Sequence, residues 1–354
     1  DPPILPSALG PDSPADELCA GLARAAAKRL GTGRGIGLVY GCEKGALIRE
    51  LVTQTELYVV GYDPNPQNVH AARQALLTGG YLGSRCAVFQ AELDALPCPP
   101  YVANLVVSES VARHGRPTGT PQEILRVLRP CGGIALLGQP HGAPMNLSRE
   151  ALETWWGDRH GTQITQGNGL WLTFTAPPLP GTAEWTHQYA DSANTGCSGD
   201  DLVTAPFALQ WFGRPGMAKV VDRHQRAAAP LYANGRLYHQ GINYLFGIDA
   251  YNGTILWERS VHGAQRKGLA NAAGNMCATP DHLLVTVGNH CLIVDGSTGN
   301  TLKTIPLPSA ESDRQWGWIA TVGEQVFGTC GKDTTTAQFL FCLDAASGKP
   351  LWRN

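Results

Sequence analysis

A short motif recurs three times in the second half of the chain, with a period of roughly 47 residues. In each copy an apolar strand pattern ends at an aspartate and a glycine follows four positions later: Asp249 and Gly253, Asp295 and Gly299, Asp344 and Gly348. The three glycines are 46 and 49 residues apart. Self-similarity at such a period is typical of proteins that stack one supersecondary unit several times, so this repeat constrains the fold more than any other feature.

The chemistry of the motif predicts a β-hairpin. An aspartate side chain can accept hydrogen bonds from the turn backbone, and glycine supplies a residue with positive φ. In two copies the next strand ends in an aromatic residue, Trp257 or Trp352, that can pack between neighbouring units. A second hairpin signal precedes each motif, at 233–238, 279–284 and 322–327. Four strands in a repeat of this length are typical of a β-propeller blade.

The repeat, seen most clearly at 343–352 (LDAASGKPLW), resembles that of pyrroloquinoline-quinone-type (PQQ-like) propellers. The resemblance covers 218–354 and implies about three blades, an incomplete propeller, because closure takes roughly four to eight. Further blades from another segment or chain, or another protein partner, are therefore expected. The quinone itself is not expected as a cofactor, because the calcium ligands and the catalytic aspartate of quinone-dependent dehydrogenases are not identifiable in this sequence. We interpret the repeat aspartates as turn formers.

The first half alternates short apolar strands with helices, which predicts a Rossmann-like, doubly wound α/β sheet of parallel strands. A helix is expected over 15–30 and a last strand over 169–175, followed by a Pro/Gly-rich breaker at 176–181. We therefore expect an N-terminal extension at 1–14, an α/β domain at 15–180 and a connector at 181–217. The other predicted strands are 36–40, 57–61, 86–90, 105–107 and 134–138.

Four segments of this domain together resemble class I S-adenosylmethionine (SAM) methyltransferases. They are VYGCEKG at 39–45, VGYD at 60–63, ELDALP at 92–97 and EILRVLRPCGG at 123–133. The resemblance implies SAM as the cofactor, with Gly41 and Gly45 lining its methionine moiety. It also implies that Asp63 accepts hydrogen bonds from the ribose hydroxyls and that Glu92 lies near the adenine. Read from the residues alone, Asp63 has an alternative role as the cap of the helix that begins after Pro64.

The chain also departs from the family pattern where the ligand is expected. Val39 replaces an acidic residue, Glu43 replaces a third glycine, and Asn104 replaces a common aspartate at the fourth strand. A glutamate in place of glycine puts a charged side chain where the backbone should approach the ligand closely. The residues 108–110 (SES) are interpreted as a polar loop at a strand end, and no catalytic residue is assigned.

Composition excludes several other classes of function. The formal net charge is −2, with 27 basic and 29 acidic residues and no run of Lys or Arg, so a nucleic-acid partner is not expected. No apolar stretch approaches the roughly 20 residues of a membrane-spanning helix. The ten cysteines form no CxxC or Cys/His spacing, so no metal site is predicted.

These observations favour a binding or scaffold protein with a degenerate methyltransferase-like domain and a propeller that presents an interaction surface. One alternative is an active SAM-dependent methyltransferase whose propeller recruits substrate. A second alternative is a quinoprotein-type oxidoreductase. We expect an exported, for example periplasmic, location for the scaffold protein, and a cytoplasmic one if the methyltransferase is active.

Overall fold

The structure is a computed structural model, and it describes residues 17–31, 33–143, 146–216, 219–220, 228–266, 274–308, 312–333 and 336–354. The chain divides into two compact units, unit 1 at 1–177 and unit 2 at 178–354. The extension expected at 1–14 and the first two residues of the predicted helix at 15–30 lie outside the described residues.

Unit 1 contains a seven-stranded mixed sheet. Its strands are β1 (Arg34–Tyr40), β2 (Glu56–Asp63), β3 (Cys86–Gln90), β4 (Leu105–Ser108), β5 (Ile134–Pro140), β6 (Thr162–Gly167) and β7 (Gly169–Thr175). They lie in the order β3-β2-β1-β4-β5-β7-β6. Neighbours among β1 to β5 pair in parallel. The strand order reverses between β1 and β4, and in open α/β sheets the crevice at the carboxyl ends of such strands is the usual ligand position.

Six helices of unit 1 accompany this sheet. They are α1 (Glu17–Leu30), α2 (Ala46–Gln54), α3 (Pro66–Thr78), α4 (Glu109–His114), α5 (Pro121–Val127) and α6 (Arg149–Trp156). Side-chain caps define several of their starts, because an Asn, Ser or Thr oxygen accepts a backbone N–H that has no partner within the helix: Asn65 for α3, Ser108 for α4, Thr120 for α5 and Ser148 for α6. Two apolar cores pack around the sheet.

Two sequence-based interpretations of this unit need correction. The sheet is not wholly parallel: β7 runs antiparallel to β5, and β6, which was not predicted, pairs antiparallel with β7. Only Asn168 separates β6 from β7, which is far too short for the helical crossover that parallel neighbours require. The segment 108–110 is not a polar loop, because α4 begins at Glu109 and the hydroxyl of Ser108 accepts a hydrogen bond from the N–H of Val111.

Unit 2 contains three sheets of four antiparallel strands, each with its strands adjacent in chain order. The first sheet is β8 (Leu231–Ala233), β9 (Arg236–Gly241), β10 (Tyr244–Asp249) and β11 (Ile255–Ser260). The second is β12 (Met276–Ala278), β13 (His282–Val287), β14 (His290–Asp295) and β15 (Thr301–Pro306). The third is β16 (Gln315–Val322), β17 (Gln325–Gly331), β18 (Phe339–Asp344) and β19 (Pro350–Arg353).

The repeated aspartates are turn formers, as the sequence predicted. Asp249 accepts the N–H of Tyr251, Asp295 accepts the N–H groups of Ser297 and Thr298, and Asp344 accepts the N–H of Ser347. In each copy the glycine has a φ of 72° to 75°, a conformation that side chains disfavour. One apolar core joins the first sheet to the second, and another joins the second to the third.

Candidate functional site

The loop between β1 and α2 lies at the carboxyl end of β1, where the strand order reverses. Gly41 (φ 61°) donates its N–H to the carbonyl of Tyr62 at 2.8 Å, which ties the loop to β2. Gly45 (φ 81°) is the N-cap of α2, and a side chain there would press on Ala72 of α3. The two glycines that the sequence predicted to line a cofactor therefore shape the loop and allow the helix packing around it.

Helix α4 covers the inner side of this loop. The N–H of Ser110 donates to the carbonyl of Gly41 at 3.1 Å, and a methyl group added at Gly41 would collide with the hydroxyl of Ser110. That hydroxyl lies 3.2 Å from the hydroxyl of Ser108 and 3.4 Å from that of Thr118. The space directly above Gly41 is thus filled by a hydroxyl cluster of the protein itself.

Glu109, the first residue of α4, is fully buried beside the start of α2, with a relative exposure of 0%. One carboxylate oxygen accepts the N–H of Leu47 at 3.0 Å, and the other accepts the guanidinium of Arg113 at 2.8 Å. Burial raises the pKa of Glu109 to about 7, although these two partners act in the opposite direction. A carboxylate of the chain therefore occupies the N-terminal end of α2, where helices favour negative charge.

Asp63, at the end of β2, is 3% exposed and is held by internal hydrogen bonds. It accepts the N–H of Glu43 at 3.1 Å, the N–H of Asn65 at 2.9 Å and the side-chain amide of Asn68 at 3.2 Å. The cap of α3 is Asn65, which accepts the N–H of Gln67, so the helix-cap role considered for Asp63 belongs to its neighbour. Asp63 instead fastens the β1–α2 loop to the end of β2.

The remaining sequence-predicted positions are spread more widely. Glu43 has a positive φ of 46°, and its carboxylate lies 3.1 Å from Nε2 of His114 at the end of α4. Glu92 is exposed in the loop that follows β3. Val39 is buried in an apolar core. Asn104 lies at the amino end of β4, where its side-chain oxygen accepts the N–H of Ile36 at 2.9 Å.

The charges around this loop do not produce a reactive thiol. Cys42 is fully buried in the middle of the loop, and burial raises the pKa of its thiol. The nearby carboxylates of Asp63 and Glu109 raise that pKa further. Because the thiolate is the reactive form of cysteine, this side chain stays protonated and acts as a small apolar group.

Glu109 and Ser110 are the site residues that sequence reasoning missed. The helix signal was present, because Ser108 precedes a short run that carries an acidic residue in its first turn and Arg113 and His114 in its last. Nothing local indicated that the carboxylate of Glu109 would reach Leu47, which lies 62 positions earlier in the chain.

Comparison with known proteins finds a family match in unit 1. Residues 38–136 match the family model described as a methyltransferase domain. This part of unit 1 is therefore similar to a methyltransferase domain. The matched residues lie wholly within unit 1, and no curated protein sequence matches the chain.

Similar solved structures include several proteins assigned as SAM-dependent methyltransferases. One from Methanococcus maripaludis is 18% identical, with a TM-score of 0.41, over 47% of this chain and 88% of that protein. One from Aquifex aeolicus is 14% identical, with a TM-score of 0.35, over 46% of this chain and 93% of that protein. One from Mesorhizobium loti is 24% identical, with a TM-score of 0.26; the match covers 34% of this chain and 51% of that protein.

Metal-ligand clusters and membrane-spanning helices are both lacking in the ranges that the structure describes. Within those ranges, no three His, Cys, Asp or Glu side chains come together in a way that could hold a metal ion. None of the helices described above has both the length and the apolar character that a membrane crossing requires.

Proposed function

We propose that this chain is a binding or scaffold protein, in which unit 1 keeps a methyltransferase-like fold without a working SAM site. In this proposal the three sheets of unit 2 are blades of a PQQ-like propeller, and they present an interaction surface. Each sheet is a meander of four antiparallel strands, and apolar cores join successive sheets. Repeats of this kind bury their faces against one another and offer extended surfaces to partners.

The observation that carries the proposal is the position of Glu109. Its carboxylate already accepts the N–H of Leu47 at the N-terminus of α2, and Ser110 fills the space above Gly41. An anionic ligand group at this helix end would meet the fully buried side chain of Glu109, which is already bound to the N–H of Leu47 and to Arg113. The ligand group would have to displace the Glu109 side chain from the N–H of Leu47, and the ionised form of Glu109 would repel it as well, so ligand binding would require α4 to move away.

The hydrogen bonds of Asp63 support the same conclusion. A carboxylate has about four acceptor sites, and Asp63 uses them on the N–H groups of Glu43 and Asn65 and on the amide of Asn68. A ribose diol could bind this carboxylate only by replacing bonds that hold the loop in place. The residues present at this position do not fit the cofactor that the family match suggests.

Calorimetric titration of the purified chain with SAM and with its demethylated product tests the proposal. We expect no saturable heat with either ligand up to millimolar concentration. The informative variant is Glu43→Gly, which relaxes the positive φ at this position and removes the carboxylate beside His114. Lys44→Gly, at the exposed neighbouring position, is the matched control. Micromolar binding by the unaltered chain would overturn the proposal.

The second candidate is an active SAM-dependent methyltransferase, which the family match over 38–136 favours. It requires stoichiometric SAM binding by the unaltered chain, and it predicts that Glu43→Gly leaves the affinity nearly unchanged. A large gain in affinity for Glu43→Gly would mean that the native residue obstructs the site, which supports the degenerate form.

The proposal also predicts that the protein is exported, as is expected for a propeller of this type. Seven of the ten cysteines are buried and none of the ten is in a disulfide. The oxidation state of the cysteines would therefore say little about whether the protein is exported or cytoplasmic. Fractionation of the source cells with an antibody against the chain tests the location directly. Recovery only in the cytoplasm would contradict the export prediction and would favour the methyltransferase.

A further inference from the structure

One face of α1 borders a cavity of about 740 Å³ in unit 1, the α1 cavity. The helix residues that line it recur every three or four positions and so form one face of α1: Glu17, Gly21, Arg24, Ala25, Lys28 and Arg29. The opposite face of α1 is buried, with Leu22 and Ala26 among its core residues. Cavities of roughly 300–1,000 Å³ are typical of small-molecule sites, so the size suits an organic ligand.

The other walls of the α1 cavity come from the edge of the sheet. Thr165, Gln166 and Asn168 of the β6–β7 hairpin line it with neutral polar side chains, and all three are exposed. Trp171 of β7 also lines it, although this side chain is only 8% exposed and belongs to an apolar core. Its indole N–H donates to the carbonyl of Asn168 at 3.2 Å, which holds the ring in place. A bound molecule would therefore meet both exposed polar groups and a fixed, mostly buried aromatic ring.

The charge of the α1 cavity is positive, in contrast to that of the whole chain. Its lining has three cations, Arg24, Lys28 and Arg29, and one acidic residue, whereas the formal net charge of the chain is −2. The acidic residue, Glu17, pairs with Arg24 at 2.6 Å, and Lys28 and Arg29 have no acidic partner among the described residues. Arg24 and Lys28 stand four positions apart, where like charges disfavour a helix. An anion bound between them would relieve this repulsion.

Gly21 keeps the cationic face of α1 open. Lys28 and Arg29 also suit the last turn of α1, because cations are favoured at the C-terminal end of a helix. The helix dipole does not explain Gly21, because glycine is unfavourable in the interior of a helix. Close packing does not require it either: a methyl group added at Gly21 would meet nothing closer than the guanidinium of Arg24, at 3.9 Å. The space that a side chain would occupy there is the cavity beside the cations.

We propose that the α1 cavity binds an organic anion, a molecule that carries a carboxylate, phosphate or sulfonate group on an apolar body. The anionic group lies between Arg24 and Lys28, and the apolar body lies against Gly21 and the ring of Trp171. The hairpin side chains supply hydrogen bonds without adding negative charge. No lining residue belongs to the β1–α2 loop or to α4, so this site is separate from that loop and goes beyond the proposed scaffold function.

Two features favour an organic anion over other anionic ligands. An inorganic phosphate ion would leave most of the cavity empty and would make no use of Trp171. A nucleic acid or a long acidic peptide gains its affinity from many cations along an extended surface, and this cavity has only three in its lining.

The test compares two fluorescent probes that share one aromatic body. Anilinonaphthalene sulfonate carries an anionic group, and phenylnaphthylamine is the same molecule without that group. We expect the sulfonate to bind the full chain at a saturable site that added salt weakens, and the neutral probe to bind there about tenfold more weakly. The amide signals of Gly21 and Gly167, which line the cavity from α1 and from β6, should shift in nitrogen–proton spectra and so locate the bound sulfonate.

Gly21→Leu is the main variant, because leucine favours a helix more than glycine does and its side chain would fill the cavity. We expect this variant to keep the stability of unit 1 in urea unfolding and to lose both the sulfonate binding and the shift of the Gly167 signal. Lys28→Gln should weaken the binding about two- to fivefold, as for other partly exposed ion pairs. Lys44→Gln removes an exposed lysine outside the cavity and is the matched control, which should leave the affinity unchanged.

Three results would overturn the proposal: equal binding of the two probes, sulfonate binding that survives Gly21→Leu, or shifts confined to signals outside the cavity. Binding of a polyglutamate peptide at the cavity, without binding of the sulfonate, would also overturn it, because the occupant would then be an acidic peptide. Titration with SAM remains a separate test of the scaffold function, since neither Gly21 nor Lys28 lies in the β1–α2 loop.

Discussion

Replacing Glu109 by glutamine should remove a pH dependence from the stability of unit 1. The carboxyl group is fully buried, and burial raises its pKa from 4.5 to about 7 in the folded chain. Its hydrogen bond with Leu47 and its ion pair with Arg113 oppose this rise without cancelling it. In the unfolded chain the side chain is solvated and regains its ordinary pKa, so folding and protonation are linked.

The sign follows from which state holds the proton. Between pH 4.5 and about 7 the folded chain keeps the proton on Glu109 and the unfolded chain loses it, so the free energy of unfolding falls as the pH rises through this window. Each pKa unit is equivalent to about 1.4 kcal/mol, so the expected loss is about 3 kcal/mol. Below this window the contribution of Glu109 to the free energy of unfolding is fully present. Above the window the contribution has been lost, and Glu109 no longer makes the free energy of unfolding depend on pH.

Urea unfolding of the unaltered chain and of Glu109→Gln, at a series of pH values across this window, measures the effect. Hydrogen exchange of amides in β1 and β5 reports on unit 1 separately from unit 2. The difference in unfolding free energy between the two proteins should change by about 3 kcal/mol across the window. Glu17→Gln, at an exposed helix position, is the control and should follow the unaltered chain. A difference that stays constant would mean that Arg113 holds Glu109 ionised, and the reasoning would be wrong.

Three further predictions concern single buried groups. Trp257→Phe removes the indole donor from the carbonyl of Gly296 and should destabilise unit 2 by about 1 kcal/mol in urea unfolding; an unchanged midpoint would show that the hydrogen bond contributes nothing. Tyr40→Phe removes a buried hydroxyl that has no partner among the described residues, so the free energy of unfolding of unit 1 should rise by up to about 1 kcal/mol. A clear fall in that free energy would mean that the hydroxyl has a hydrogen-bond partner. Burial lowers the pKa of His187, whose Nε2 accepts the N–H of Thr321, so the folded chain resists protonation. Unit 2 should therefore lose stability as the pH falls below about 6.5, and His187→Gln should flatten that slope if the reasoning is correct.

The sequence by itself determined the elements whose contacts are local. The Asp-x-x-x-Gly turns were predictable because each aspartate accepts N–H groups only two or three positions away. The parallel strands β1 to β5 were predictable because short apolar runs that alternate with helices favour a sheet buried on both faces. The glycines of the β1–α2 loop indicated a turn between strand and helix, and in the structure both Gly41 and Gly45 have a positive φ.

Only the tertiary structure decided what the candidate site contains. Glu109 reaches Leu47 across 62 positions of chain, and Asp63 reaches the N–H of Glu43 across 20, because β1, β2 and β4 end side by side. Likewise, Trp257 and Trp352 stand at equivalent positions of the repeat, yet one is buried on the next turn and the other is exposed. Whether a carboxylate or an indole is buried and hydrogen-bonded depends on which distant residues packing brings beside it, and that information is not local in the sequence.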